Sequence, residues 1–110
     1  MEQFEAVRDL PFLYLTTTGR KTGLPRRIEI WFIVHQGSFY IFAERFHKAD
    51  WVRNIVRTPG VRVRVGERSL DATAEVLDRT RDGAEWETVR DLARAKYGWG
   101  EGLPVRITPI

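Results

Sequence analysis

No cysteine occurs in the chain's 110 residues, so a disulfide framework, a thiolate nucleophile and a cysteine-built metal centre are all excluded. Histidine is scarce as well. His35 and His47 are the two imidazoles present, neither has a paired histidine beside it, and no dedicated metal site is expected. The two serines, Ser38 and Ser69, stand in no nucleophile elbow, which removes a serine hydrolase from consideration. No apolar run approaches the roughly 18 residues that span a bilayer. The opening "MEQFEAVRDL" lacks the basic-then-apolar plan of a secretory signal. The expectation is a cytoplasmic protein without stable membrane insertion. Internal repeats and low-complexity segments are also absent.

What is present suits a single small core. Hydrophobic residues make up 43% of the chain, with four tryptophans, and charged residues 30%, so one domain over residues 1–110 is expected. The net charge of +3 is unevenly spread: residues 1–66 carry 11 basic and 6 acidic side chains, residues 67–110 carry 7 and 9. A basic first part points to nucleic acid, an acidic surface or a small polyanion.

Periodicity divides the chain. Residues 2–9 have helical spacing and stop before Pro11. "FLYLTTT" (12–18) has strand composition, and "RIEIWFIVHQG" alternates, with Ile28, Ile30, Phe32 and Val34 on one face and Glu29, Trp31, Ile33 and His35 on the other. "SFYIFAE" (38–44) returns as the second arm of a hairpin. In 47–58, Trp51, Val52, Ile55 and Val56 form a helical stripe, with Asp50 a candidate N-cap and Pro59-Gly60 the stop. "VRVRVGE" and "SLDATAEVL" alternate again, and residues 82–98 carry a 3.6-residue period ending at Gly98. The closing "LPVRITPI" reads as a strand, with Pro104 and Pro109 suggesting a sheet edge. About six antiparallel strands with two or three flanking helices predict a mainly β (α+β) fold, a small closed or half-closed barrel.

The chemistry concentrates in "TTTGRKTGLPRR" (16–27), where Arg20, Lys21, Arg26 and Arg27 crowd one turn with no acid among them. Glycine-rich turns expose backbone N–H groups, and arginine forks beside them bind phosphate or carboxylate. The order G-R-K-T-G lacks the gap of a Walker A loop. A solvated hairpin and an anion cradle both remain open on these residues alone. Trp31 could stack on a flat ligand or pack. Trp51 and Asn54 share a helix face, and Asn54 could bond a ligand or hold a loop. His47 and Lys48 lie at a helix entrance, a natural anion position. Tyr97 could donate a proton or pack.

These motifs resemble the deazaflavin (coenzyme F420)-dependent nitroreductase and quinone reductase family, within the split β-barrel superfamily of pyridoxamine 5′-phosphate oxidase-like flavoproteins. The resemblance rests on "LTTTGRKTGLPRR", "IEIWFIVHQGSFYIFAE" and "ADWVRNIVRTPGVRVRVG", covering roughly residues 12–78. It implies a split barrel that binds F420 and passes a hydride to a quinone, nitro compound or other activated small-molecule acceptor. It implies that Arg20, Lys21, Thr22 and Arg26, with Arg27 beside them, hold the anionic tail. Ala43, Glu44 and Arg45 would lie along the ring or its phosphate, and Trp51 and Asn54 would complete the pocket; Trp31 and Lys48 join the expected cofactor site on their own chemistry. Residues 79–102 match the family only loosely, so the expectation that Tyr97 delivers a proton or touches substrate comes from the residue itself and not from the resemblance. Glu44 departs from the family pattern, standing where a small hydroxyl residue is common, and "ERFHK" is a short connection. A homodimer is a family expectation. The alternatives are an FMN-dependent oxidoreductase on the same fold, a non-catalytic F420-binding protein, and a basic module touching nucleic acid; the resemblance favours the enzyme, without a nucleic-acid partner.

Overall fold

A computed structural model describes residues 4–110. Seven antiparallel strands form one sheet: β1 (Leu13–Thr18), β2 (Pro25–Ile30), β3 (Phe32–His35), β4 (Ser38–Ala43), β5 (Gly60–Val65), β6 (Arg68–Val76) and β7 (Leu103–Pro109), with helices α1 (Asp50–Arg57) and α2 (Gly83–Tyr97). Short 3-10 helices cover Glu5–Val7 and Phe46–Lys48. Of the helix expected over 2–9, residues 2 and 3 lie outside the described residues.

The sheet order is β2-β1-β5-β6-β7-β4-β3. The two edges are therefore β2 and β3, and a single residue, Trp31, joins them in the chain. A flat sheet cannot satisfy both facts. It must curl until its edges approach at that one-residue connection, which gives the half-barrel and places Trp31 on the seam. The alternating segment 28–35 is thus two strands on opposite edges, broken at Trp31, and this raises the strand number from six to seven. Its inward face survives the break: Phe32 and Val34 are buried, and Ile28 and Ile30 pack against the same core.

That core is read directly from the strand pattern. Leu13 and Leu15 on β1, Val61, Val63 and Val65 on β5, Ala72 and Ala74 on β6, and Val105 and Ile107 on β7 all point inward, at the period of two that pleating imposes. A second cluster packs Trp86, Val89 and Ala93 of α2 against Ile33, Tyr40 and Phe42. The helix ends at Gly98, whose φ of 75° is the left-handed cap glycine tolerates best. Gln36 and Gly37, at φ 49° and 78°, turn β3 into β4 in the primed-turn geometry that suits strand twist.

Two expectations need correction. β7 is central, between β6 and β4, although it holds two prolines. Both sit at the ends of its ladder with β6: Pro109 pairs with Ala72 at one limit, and Pro104 lies one step beyond the last pair, Val76 with Val105, where its carbonyl accepts from Leu77 N–H. A missing N–H costs little there. On α1 the N-cap is Ala49, and Val56 is 66% exposed, while Asn54 is buried in its place. Asp50 begins the helix and turns its carboxylate to a partner elsewhere.

Candidate functional site

The β1–β2 turn is built by its glycines. Gly19 N–H donates to Leu24 C=O at 2.8 Å, and Gly23 N–H to Gly19 C=O at 2.8 Å. Leu24 N–H donates to Thr22 Oγ1 at 3.2 Å. A Cβ on Gly19 would lie 3.0 Å from both Leu24 O and Thr22 Oγ1, and Gly23 has φ 74°, so both positions suit glycine.

Asn54 fastens this turn to α1. Its Oδ1 accepts from the Arg20 backbone N–H and from Arg20 Nη1, both at 3.1 Å, while its Nδ2 donates to Thr17 Oγ1 at 3.0 Å. Two donors facing one end of the amide fix its orientation. Asp50 completes the clamp, its carboxylate 3.2 Å from Arg20 Nη2. Arg20 is thereby held in place with its charge partly answered. Lys21 and Arg26 are exposed, and neither has an acidic partner within salt-bridge distance among the described residues.

These groups line a cavity of about 460 Å³, together with Thr17, Gly19, Thr22, Ile28 and Trp51. A second cavity, of about 580 Å³, is lined by Glu29, Ile30, Trp31, Phe42, Glu44, Trp51 and Trp99. Trp51 belongs to both walls, so the cavities adjoin: one end is basic, the other aromatic and acidic. The size of each is ordinary for a small-molecule site.

Trp31 is half exposed on the seam and stacks on the Tyr97 ring, with centroids 4.4 Å apart and planes within 6°. Tyr97 itself is anchored to backbone. Its hydroxyl accepts from Phe32 N–H at 3.1 Å and has the carbonyls of Pro11 and Phe32 at 2.8 and 2.9 Å for its one proton. Burial raises its pKa against the pull of the Phe32 N–H. The same hydroxyl contacts fix the ring that stacks on Trp31.

The structure brings Arg20, Lys21, Thr22, Arg26, Trp51 and Asn54 together on the first cavity and Trp31 and Glu44, with Trp51, on the second. It separates the others. Arg27 lies on the opposite sheet face, its guanidinium 4.0 Å over the Tyr14 ring, because neighbouring strand residues cannot face the same way. Arg45 and Lys48 are exposed at the 3-10 helix after β4, off both linings. Ala43 is buried, its carbonyl backing Gly102. Sequence reasoning missed Thr17, Glu29, Phe42 and Trp99. Alternation along β1 places Thr17 inward with Leu13 and Leu15, and the glycines around Trp99 were the available sign of close approach.

Gly102 makes room for that indole: a Cβ there would sit 2.8 Å from Trp99 Cη2 and 2.9 Å from Ala43 O. Gly102→Ala is expected to cost about 1–3 kcal/mol through overpacking and to shift Trp99 out of the cavity wall. Urea unfolding reads the first effect and the tryptophan emission spectrum the second.

A family model described as F420H(2)-dependent quinone reductase matches residues 2–108. Among solved structures, an F420-H2-dependent reductase is 27% identical with a TM-score of 0.71, covering 89% of this chain and 93% of that one. A protein solved as a domain-swapped dimer is 28% identical with a TM-score of 0.71, covering 90% and 80%. A heme storage protein from Vibrio cholerae, 18% identical with a TM-score of 0.78 and covering 100% and 92%, shares the fold.

Proposed function

The chain belongs to the F420H2-dependent quinone reductase family and is an F420-dependent reductase of the split-barrel fold, and from this premise we propose how its residues serve the reaction. The observation that carries the proposal is the polarity of the two adjoining cavities. Lys21 and Arg26 stand on the first, and indoles wall the second. A ligand with an anionic tail and a flat ring fits that order in one direction, since Glu29 and Glu44 repel the tail from the aromatic end.

Lys21 and Arg26 would hold the anionic tail of F420, with Arg20 fixed by Asn54 and Asp50 to keep the turn in shape. Trp51 and Trp31 would offer flat faces to the ring. When bound, F420 supplies the hydride for a quinone, nitro compound or other activated acceptor. The residues would do the rest: the basic end binds, and the indole walls, with Phe42 and Ile30 beside them, orient the ring.

Titration of F420 fluorescence tests this. Lys21→Ala/Arg26→Ala is expected to weaken F420 binding roughly 30-fold, the worth of two exposed charge-assisted contacts. An unchanged affinity would move the tail elsewhere, and binding of FMN with no binding of F420 would overturn the assignment of tail and ring. Turnover of reduced F420 with menadione separates an enzyme from a mere carrier.

No helix among the described residues is long and apolar enough to cross a membrane; a cytoplasmic site of action is part of the proposal. So is a homodimer, supported by the half-exposed Trp31 at the seam and by the dimeric state of one similar structure. Sedimentation velocity at twice the monomer mass is the expected result.

A further inference from the structure

The second cavity reverses the charge of the first. Its ionisable side chains are two carboxylates, Glu29 and Glu44, set among the indoles of Trp31, Trp51 and Trp99. They come from the two sides of the seam, Glu29 from β2 on one edge and Glu44 from the end of β4, next to the other edge. Neither has a cationic partner within salt-bridge distance among the described residues. Indole faces attract cations through the ring quadrupole, and a pair of unpartnered carboxylates at an apolar wall repels anions while drawing cations in.

We propose that this cavity admits the electron acceptor and sorts it by charge, favouring flat aromatic acceptors with a cationic substituent over anionic ones, with Glu29 and Glu44 as the specificity-determining residues. The inference rests on the reading that the first cavity holds the cofactor's tail, for then the reactive ring and its acceptor meet at the aromatic end. It also gives the opposed charges of the two cavities one purpose: the basic end retains an anionic cofactor, and the acidic end keeps anionic solutes out of the space where the acceptor must lie. The redox balance is independent of the sorting. A quinone becomes a hydroquinone by gaining one hydride and one proton, both given up by the reduced cofactor, and the charged substituent is carried through unchanged.

The test uses three naphthoquinones of one core, bearing a trimethylammonium group, no charge, or a sulfonate. With the F420-loaded protein at low salt, KM for the sulfonate is expected to exceed KM for the ammonium compound roughly tenfold, the combined effect of two surface carboxylates, and the ratio is expected to shrink as salt screens them. In Glu29→Gln/Glu44→Gln the ratio is expected to fall to within about twofold. Both positions are exposed, so the exchange disturbs no packed core. Quenching of tryptophan fluorescence in the cofactor-free protein supplies the binding readout, in the order ammonium, neutral, sulfonate. Equal KM values for the charged pair in the unmodified protein, or a ratio that survives the double exchange, overturns the proposal. The two readings fail separately: absence of F420 binding sinks the cofactor placement, while the quenching order still judges the cavity by itself.

Discussion

Asn54→Ala is expected to lower the unfolding free energy by about 2–4 kcal/mol and F420 affinity roughly 100-fold. Asn54 is 4% exposed, and its side chain holds three groups at once: the Arg20 backbone N–H, the Arg20 guanidinium and the Thr17 hydroxyl. Alanine removes all three partners and leaves the Arg20 N–H to find water in a part-buried turn. The cost of an unanswered buried donor is added to the lost bonds. For a domain of this length the expected fall in Tm is about 10–20 °C. Affinity suffers for a separate reason. Without Asn54 the turn must be ordered by the ligand itself, and that entropy is subtracted from binding. Thermal unfolding and an F420 titration on the same variant read the two effects. Asn54→Asp serves as the control: it keeps the acceptor for Arg20 and loses the donor to Thr17, so it should recover most of the turn's order. A variant with normal affinity would show that the clamp does not prepare the site.

Lys96→Met is expected to cost about 2–3 kcal/mol. The ammonium of Lys96, on the last turn of α2, donates to the carbonyls of Arg8, Leu10 and Phe32 at 2.8, 2.7 and 3.0 Å. It also lies 4.1 Å from the centroid of the Phe32 ring. One charge therefore ties the N-terminal segment, the seam strand β3 and α2 together. Burial pushes its pKa down from 10.5 to about 8, with Asp9 pulling the other way. The unfolded chain keeps the ordinary value, so between pH 8 and 10.5 it holds more protons at this site than the folded chain does. Stability contributed by Lys96 therefore rises with pH through that window. The difference in unfolding free energy between the unmodified protein and Lys96→Met should widen as pH is raised from 8 toward 10.5. Urea unfolding across that range checks it, and a gap that narrows would contradict the burial argument.

Much of the site was legible from residue order because its parts are local. Arg20, Lys21, Thr22 and Arg26 share one turn, and any tight β1–β2 connection brings them together. The helical spacing of Trp51 and Asn54 likewise put both on one face of α1, which was enough to place them on the same wall. Closeness in sequence does not bring Arg27 to the same cavity, because pleat intervenes: Arg26 pairs with Thr17 on the inner face, so Arg27 points outward to Tyr14. Nothing in the neighbourhood of Tyr97 in the chain revealed that its hydroxyl meets the backbone of residues 11 and 32. Glu29 and Trp99 lie 70 positions apart in the chain, and no periodicity links them.

The sequence by itself determined most of the strand segments, the spans of α1 and α2, the inward-facing core and the basic turn, since each follows from spacing within a few residues and from the chemistry of glycine, arginine and alternating valine. Only the tertiary structure decided that one alternating segment serves both edges of the sheet, that Trp31 stands on the seam between them, and that a second, acidic and aromatic cavity opens there. The physical reason is closure. Curling a seven-stranded sheet until its edges β2 and β3 approach at Trp31 creates neighbours from residues that no local pattern connects.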